Sequence, residues 1–263
     1  MKILFIAILL LFAQISFAQK TFKWPKGKKA AIVLTYDDGT ASQLNPAIPQ
    51  LNKYKLRGTF FLTGNLSEDD ITLWQAVSKR GHEMANHSLY HPCSEKSYKN
   101  DPRLYVENYN VKAMINEINM MNKILHAVDG RKSRTYAYPC SGSVVGGKNY
   151  TEALRQSGLI KYARTGGDKN SIITNFKSLN VLQVPSWGIS DSPDGAGLIE
   201  FVKKAEDANG MAVLMFHGVG GDYIKVSAEA HELLLKYLAQ HRKDIWVSTF
   251  QEVMDYVSTQ NQL

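Results

Sequence analysis

Two neighbouring carboxylates in Thr35-Tyr36-Asp37-Asp38-Gly39, and two imidazoles four residues apart in His87-Ser88-Leu89-Tyr90-His91, form a donor set suited to a metal ion. On an extended strand Asp37 and Asp38 would face opposite sides, because side chains alternate. A turn at Gly39, which accepts backbone angles that other residues resist, would let both face one pocket. One carboxylate could then bind a cation while its neighbour takes a proton from water. The spacing of His87 and His91 lets two rings converge on one ion from a helical turn or a tight loop. Neutral imidazole nitrogen with carboxylate oxygen suits zinc, with cobalt or nickel as neighbours. Two histidines and one aspartate leave coordination positions open, as a hydrolytic metal needs for water and substrate.

Each of these groups follows a strand-like run. Ala30-Ala31-Ile32-Val33-Leu34 is continuously apolar, the pattern of a strand buried on both faces. Further strands are expected at 59–62, 83–86, 135–138, 161–163, 181–184, 212–216 and 245–248. Apolar residues at helical spacing over 46–54, 71–79, 102–128, 150–156, 198–208, 228–241 and 251–257 separate most of them. Strands alternating with helices imply parallel pairing through crossovers. Seven or eight such units predict a single-domain α/β fold, a (β/α) barrel. Asp37, Asp38, His87, His91, His217, Pro139 and Trp187 then fall at or just beyond C-terminal strand ends, which share one rim. His217 follows Val213-Leu214-Met215-Phe216 and reads either as a rim residue with chemistry or as a histidine capping a buried strand. His82, His126, His231 and His241 read as structural or surface residues.

Lys2, an apolar run over 3–12, and Ser16 and Ala18 before Gln19 predict a cleavable signal peptide over 1–18. The run is too short to span a bilayer, and no cysteine near the cleavage point offers a lipid anchor. The expected product is exported, periplasmic or secreted, without stable membrane insertion. A short segment over 19–27 leads into one domain over 28–263, since no linker, repeat or low-complexity tract divides it. The net charge is +7, and its excess is spread along the chain apart from Lys26-Gly27-Lys28-Lys29. That distribution reads as solvated surface, and no nucleic-acid motif is present. Cys93 and Cys140 are the only cysteines. In an oxidising compartment they are a disulfide candidate, with two free thiols as the alternative. They follow His91-Pro92 and Tyr138-Pro139, so a bond would tie two rim loops together.

Taken in order, Thr35-Tyr36-Asp37-Asp38-Gly39, His87-Ser88-Leu89-Tyr90-His91 and the late strand ending in His217 resemble three motifs of the NodB-like polysaccharide deacetylases, carbohydrate esterase family 4. Arg57-Gly58-Thr59-Phe60-Phe61 and Arg80-Gly81-His82-Glu83 match patterns between those motifs. The resemblance implies a distorted (β/α) barrel, an acetylated glycan as substrate, and a divalent metal, usually zinc. It implies Asp38, His87 and His91 as ligands, Asp37 as general base and His217 as general acid. The backbone N–H of Cys140, after the third motif's proline, would help hold the oxyanion. Met215 stands where a leucine usually walls the acetyl-methyl pocket, and its adaptable side chain can fill that place. Tyr138 and Trp187 are candidate platforms for a sugar ring, with core packing as the alternative.

The chain also departs from the family. Ala137-Tyr138-Pro139-Cys140-Ser141 lacks the third motif's arginine, which normally orients the catalytic aspartate. Ser186-Trp187 replaces the fourth motif's Asp-Trp pair. The two losses fit together, because a buried carboxylate without its cation is costly. Arg164, at another predicted strand end, is the candidate replacement; the alternative is an exposed arginine in a glycine loop. The motifs leave open N-acetyl or O-acetyl hydrolysis, a non-catalytic carbohydrate-binding relative, and a metal hydrolase for a small non-sugar amide. The glycan, the native metal and the oligomeric state stay open as well.

Overall fold

The computed structural model describes residues 22–97, 99 and 101–261. The expected signal peptide over 1–18, and residues 19–21 of the segment after it, lie outside the described residues. Eight parallel strands form one sheet: β1 (Ala30–Asp37), β2 (Thr59–Leu62), β3 (Glu83–Asn86), β4 (Thr135–Ala137), β5 (Tyr162–Arg164), β6 (Trp187–Gly188), β7 (Met211–Phe216) and β8 (Ile245–Ser248). Its order is β5-β4-β3-β2-β1-β7-β6, with β8 pairing the first half of β1. The chain from 181 to 188 joins the two ends. Val184 bridges to Arg164, and Trp187 pairs with Leu214 three residues later. The sheet therefore curls into the distorted barrel that the alternating pattern implied.

Side-chain alternation along β1 divides the core. Ala30, Ile32, Leu34 and Tyr36 pack outward with helix residues such as Leu51, Leu198 and Leu234. Ala31 and Val33 face inward with Phe61, Ala85, Ala137, Val184 and Val213. Both sets are removed from water, each larger side chain contributing about 1.5–3 kcal/mol. That two-sided burial is why β1 reads as a continuous apolar run. Continuing the alternation, Thr35 and Asp37 also face inward.

The crossover helices are α1 (Ile48–Lys53), α2 (Glu68–Ser78), α3 (Val111–Asp129), α4 (Thr151–Ser157), α5 (Gly195–Asp207) and α6 (Ala228–Gln240), and α7 (Phe250–Asn261) follows the last strand. Two expectations change. The helical pattern over 102–128 divides into two 3-10 turns and then α3, because the Asn110 side chain accepts from Ala113 N and starts the helix there. The strand expected over 181–184 is a turn that ends in a single bridge, because Val181 and Val184 alone bond to Ala163 and Thr165 of its neighbour while Gln183 N turns back to Asn180 O.

At the end of the barrel away from the site, the start of α7 seals a buried carboxylate. Glu83 accepts from the hydroxyls of Thr59 and Thr135 and from Gln251 N. Burial pushes its pKa up.

Two buried histidines outside the site link stability to pH. His231 bonds Tyr36 Oη at 2.7 Å and Gln50 Oε1 at 2.6 Å, and burial lowers its pKa from 6.5 to about 3. His82 accepts from Gly58 N at 3.1 Å; burial, then the charges of Arg57 and Arg80, lower it to about 4. Below pH 6.5 the unfolded chain binds protons that the folded chain refuses. Their contribution is complete above 6.5 and is lost as pH falls toward 3–4, by up to about 1.4 kcal/mol per pH unit for each group. Thermal unfolding of chelated protein between pH 7 and 5 is expected to give a falling Tm, with a shallower slope in His231→Gln. Equal slopes would refute this assignment.

Candidate active site

The strand ends converge as the sequence implied. Asp37 closes β1; Asp38 and Gly39 then turn with positive φ, 79° and 69°. Asp38 thus adopts a backbone conformation that Gly39 takes without strain, and both carboxylates reach one mouth. His87 follows β3. The loop to His91 lies against Gly64, whose N–H donates to Leu89 O at 2.8 Å; a Cβ at Gly64 would stand 2.7 Å from that oxygen. Ser88 and His91 have positive φ, 64° and 50°. Asn86 Oδ1 accepts from Ser88 N at 2.7 Å, and Ser88 Oγ from His91 N at 3.0 Å. The histidines converge from this tight loop.

Their donor atoms fit a metal. His87 Nδ1 lies 2.9 Å from Ala137 O and donates to it, which turns Nε2 into the site. His87 Nε2 lies 3.1 Å from His91 Nε2 and 3.4 Å from Asp38 Oδ1, and His91 Nε2 is 3.5 Å from that oxygen. Bonds of 2.0–2.1 Å in a tetrahedron would set ligands about 3.3 Å apart. Burial, then the neighbouring His87 charge, lowers the His91 pKa to about 4, so the ring is in the neutral form that coordinates. A second grouping, His91 with Cys93 and Cys140, offers no thiolate, because the two sulfurs are bonded to each other.

Asp37 is 3% exposed and Arg164 is 1% exposed. Arg164 Nη2 donates to Asp37 Oδ1, and its guanidinium lies 4.8 Å from the centre of the Phe61 ring. Arg164 Nη1 donates to Ser186 Oγ at 3.3 Å, and Ser186 in turn donates to Thr165 O. A neutral serine there leaves no second carboxylate competing for the guanidinium. Burial alone would raise the Asp37 pKa, but Arg164, His87 and His217 outweigh it and hold the group below its usual value. Arg164 therefore lies beside Asp37 in the barrel interior, not in an exposed glycine loop.

His217 faces the same mouth, its Nε2 3.9 Å from Asp38 Oδ2, and its Nδ1 is buried without a hydrogen-bond partner among the described residues. Gln43, which the sequence reading overlooked, donates from one amide to both Asp37 O and His217 O. It sits six residues past Asp37 in a segment with no chemical signature.

A cavity of about 970 Å³ opens over these groups, lined by Asp37, Asp38, His87, His91, Met215 and His217 together with Tyr138 and Cys140. Trp187 does not line it. Alternation turns Ser186 inward and Trp187 outward, where it meets Phe201 of α5 edge-on at 4.9 Å. Trp187 is thus a core residue and no sugar platform. Tyr138 reaches the cavity edge but is 2% exposed and packs with Tyr136 and Tyr150. The exposed rings at the rim are Tyr90 and Tyr223, 59% and 54% exposed. Tyr90 lies inside the histidine motif and Tyr223 follows Gly220-Gly221-Asp222, and neither is among the candidates that the sequence offered.

Over 116 aligned residues the chain is 28% identical to the peptidoglycan-N-acetylmuramic acid deacetylase of Bacillus subtilis, covering 44% of this chain and 40% of that protein. It thus spans less than half the length of this curated relative. A crystal structure from Mycobacterium smegmatis assigned to the polysaccharide deacetylases shares the fold, with a TM-score of 0.67 at 18% identity over 91% of this chain and 94% of that one. A carbohydrate esterase family 4 pseudoenzyme from Bacillus anthracis shares it less closely, with a TM-score of 0.55 at 16% identity over 86% and 66%. Residues 25–159, about half of the sequence, match the family described as polysaccharide deacetylase, and the chain belongs to that family.

Proposed function

We propose that this protein is an exported, metal-dependent deacetylase that hydrolyses N- or O-acetyl groups on a polysaccharide or oligosaccharide. The observation that carries the reading is a buried, Arg164-paired Asp37 set beside the converging donors of Asp38, His87 and His91 and across from His217. A binding module has no need of a base held ionised in a dry site. Asp38, His87 and His91 hold the divalent ion, zinc by donor type. When bound, the ion supplies Lewis acidity toward the acetyl carbonyl and lowers the pKa of water.

The chain's own groups do the rest. Asp37, kept charged and aimed by Arg164, takes the proton of the attacking water. The Cys140 N–H donates to the tetrahedral oxyanion. His217 protonates the departing sugar nitrogen or oxygen. Met215 walls the methyl group, and Tyr90 and Tyr223 offer ring faces to the sugar. The Cys93–Cys140 bond joins the loop of His91 to the loop of the oxyanion donor, at a sequence separation of 47. Such a bond suits export, as do the predicted leader over 1–18 and a relative named for peptidoglycan. No helix among the described residues is long and apolar enough to cross a membrane.

A second reading, a carbohydrate-binding relative without turnover, draws support from the altered third and fourth motifs and from the pseudoenzyme neighbour. Acetate release should be measured across acetylated glycans of increasing length, using chelated protein and protein re-supplied with zinc, cobalt or nickel. The expected result is release that is lost on chelation, recovered with metal and increased by glycan length. Glycan binding without release under any metal favours the binding module. Release that ignores glycan length favours a hydrolase of small non-sugar amides.

A further inference from the structure

Resting on the metal reading above, we propose that Tyr223 is a positioning residue for the metal centre: its hydroxyl fixes Asp38 so that one carboxylate oxygen faces the ion and the other is withheld. Tyr223 Oη donates to Asp38 Oδ2 at 2.8 Å, while Oδ1 is the atom turned toward His87 Nε2 and His91 Nε2. A carboxylate free to rotate can take an ion with both oxygens and close a coordination position. One whose second oxygen accepts a hydrogen bond stays monodentate, which preserves the open positions hydrolysis needs.

The loop that presents Tyr223 is built for the purpose. Its base is the pairing of Gly218–Val219 with Lys225–Val226. Asp222 and Ile224, on either side of Tyr223, have φ of 59° and 45°, a region that a β-branched residue such as Ile224 rarely occupies. Strain of this kind persists only where the surroundings impose it, and it concentrates at functional sites. Here the surroundings are Ser42, four residues beyond Asp38. Ser42 N donates to Asp222 Oδ2 at 2.7 Å, Val219 N donates to Ser42 Oγ at 3.0 Å, and Ser42 Oγ donates to Gly221 O at 3.4 Å. The segment that carries the metal-binding aspartate therefore also anchors the loop whose tyrosine restrains it. The ring is more than half exposed, so the core gains little from it; the hydroxyl contact is what the loop geometry secures.

The test is zinc affinity, measured with zinc alone by competition against a chromophoric chelator, on the full chain and on Tyr223→Phe and Asp222→Ala. Tyr223→Phe is expected to weaken zinc binding by about 10–100-fold, with the Tm of the metal-free protein unchanged. Asp222→Ala, which keeps the hydroxyl but frees the loop, should give a smaller loss of the same sign. Equal zinc affinity in Tyr223→Phe and the unsubstituted protein would overturn the proposal, and a fall in kcat/KM alone would then make Tyr223 a substrate contact. Failure of the unsubstituted protein to bind zinc would overturn the metal reading together with this one.

Discussion

Asp37→Asn is expected to lower acetate release by about 10²–10⁴-fold, the usual worth of a positioned general base, while zinc affinity stays within a few-fold of the unsubstituted protein. Asparagine keeps the shape of aspartate but cannot take a proton from water. Asp37 Oδ2 lies 3.6 Å from His87 Nε2, farther than Asp38 Oδ1, so its charge is not the one that defines the metal donors. Stability should also fall, because Arg164 would be left buried beside a neutral amide. Undiminished release would remove Asp37 from the mechanism. A parallel loss of zinc would make it a ligand instead of a base.

Arg164→Met should destabilise the fold by about 3–5 kcal/mol, the effect of breaking a buried ion pair and leaving one charge behind. For a domain of this size that is roughly 6–20 °C in Tm. Turnover should drop as well, and the acid limb of the rate profile should move to higher pH, since the base loses the charge that holds its pKa down. The double variant Asp37→Asn with Arg164→Met separates the two effects. With neither charge present it should recover most of the lost stability while remaining inactive. If Arg164→Met unfolds no earlier than the parent, the pair is not the stabilising contact described here.

The sequence was informative wherever a residue's placement follows from its distance from a strand end. Asp37, Asp38, His87 and His217 were legible for this reason, because parallel strands bring their C-terminal ends to one rim whatever lies between. Arg164 could be suspected from the absence of an arginine before Pro139, since an inward carboxylate at Asp37 needs a cation. Trp187 stayed between two readings because its strand is two residues long, too short for period-two alternation to be seen, and only the pairing with Leu214 fixes which face it takes. Gln43 and Tyr223 stayed hidden for another reason. Each makes a hydrogen bond across the barrel mouth, to His217 O 174 residues away and to Asp38 185 residues away, and no local pattern encodes such a contact.

Tyr36 stands opposite Phe216 in the pairing of β1 with β7, and Asp37 and His217 are the next residues along each chain. The two residues are therefore set one strand spacing apart, about 4.8 Å between backbones, and Gln43 clasps both carbonyls. Their separation belongs to the sheet and not to any loop. Tyr90, by contrast, is exposed on the loop between His87 and His91, where its ring can be exchanged without disturbing that rung. Substitutions of the Tyr90 ring can therefore alter what reaches the cavity while the spacing of Asp37 and His217 is kept.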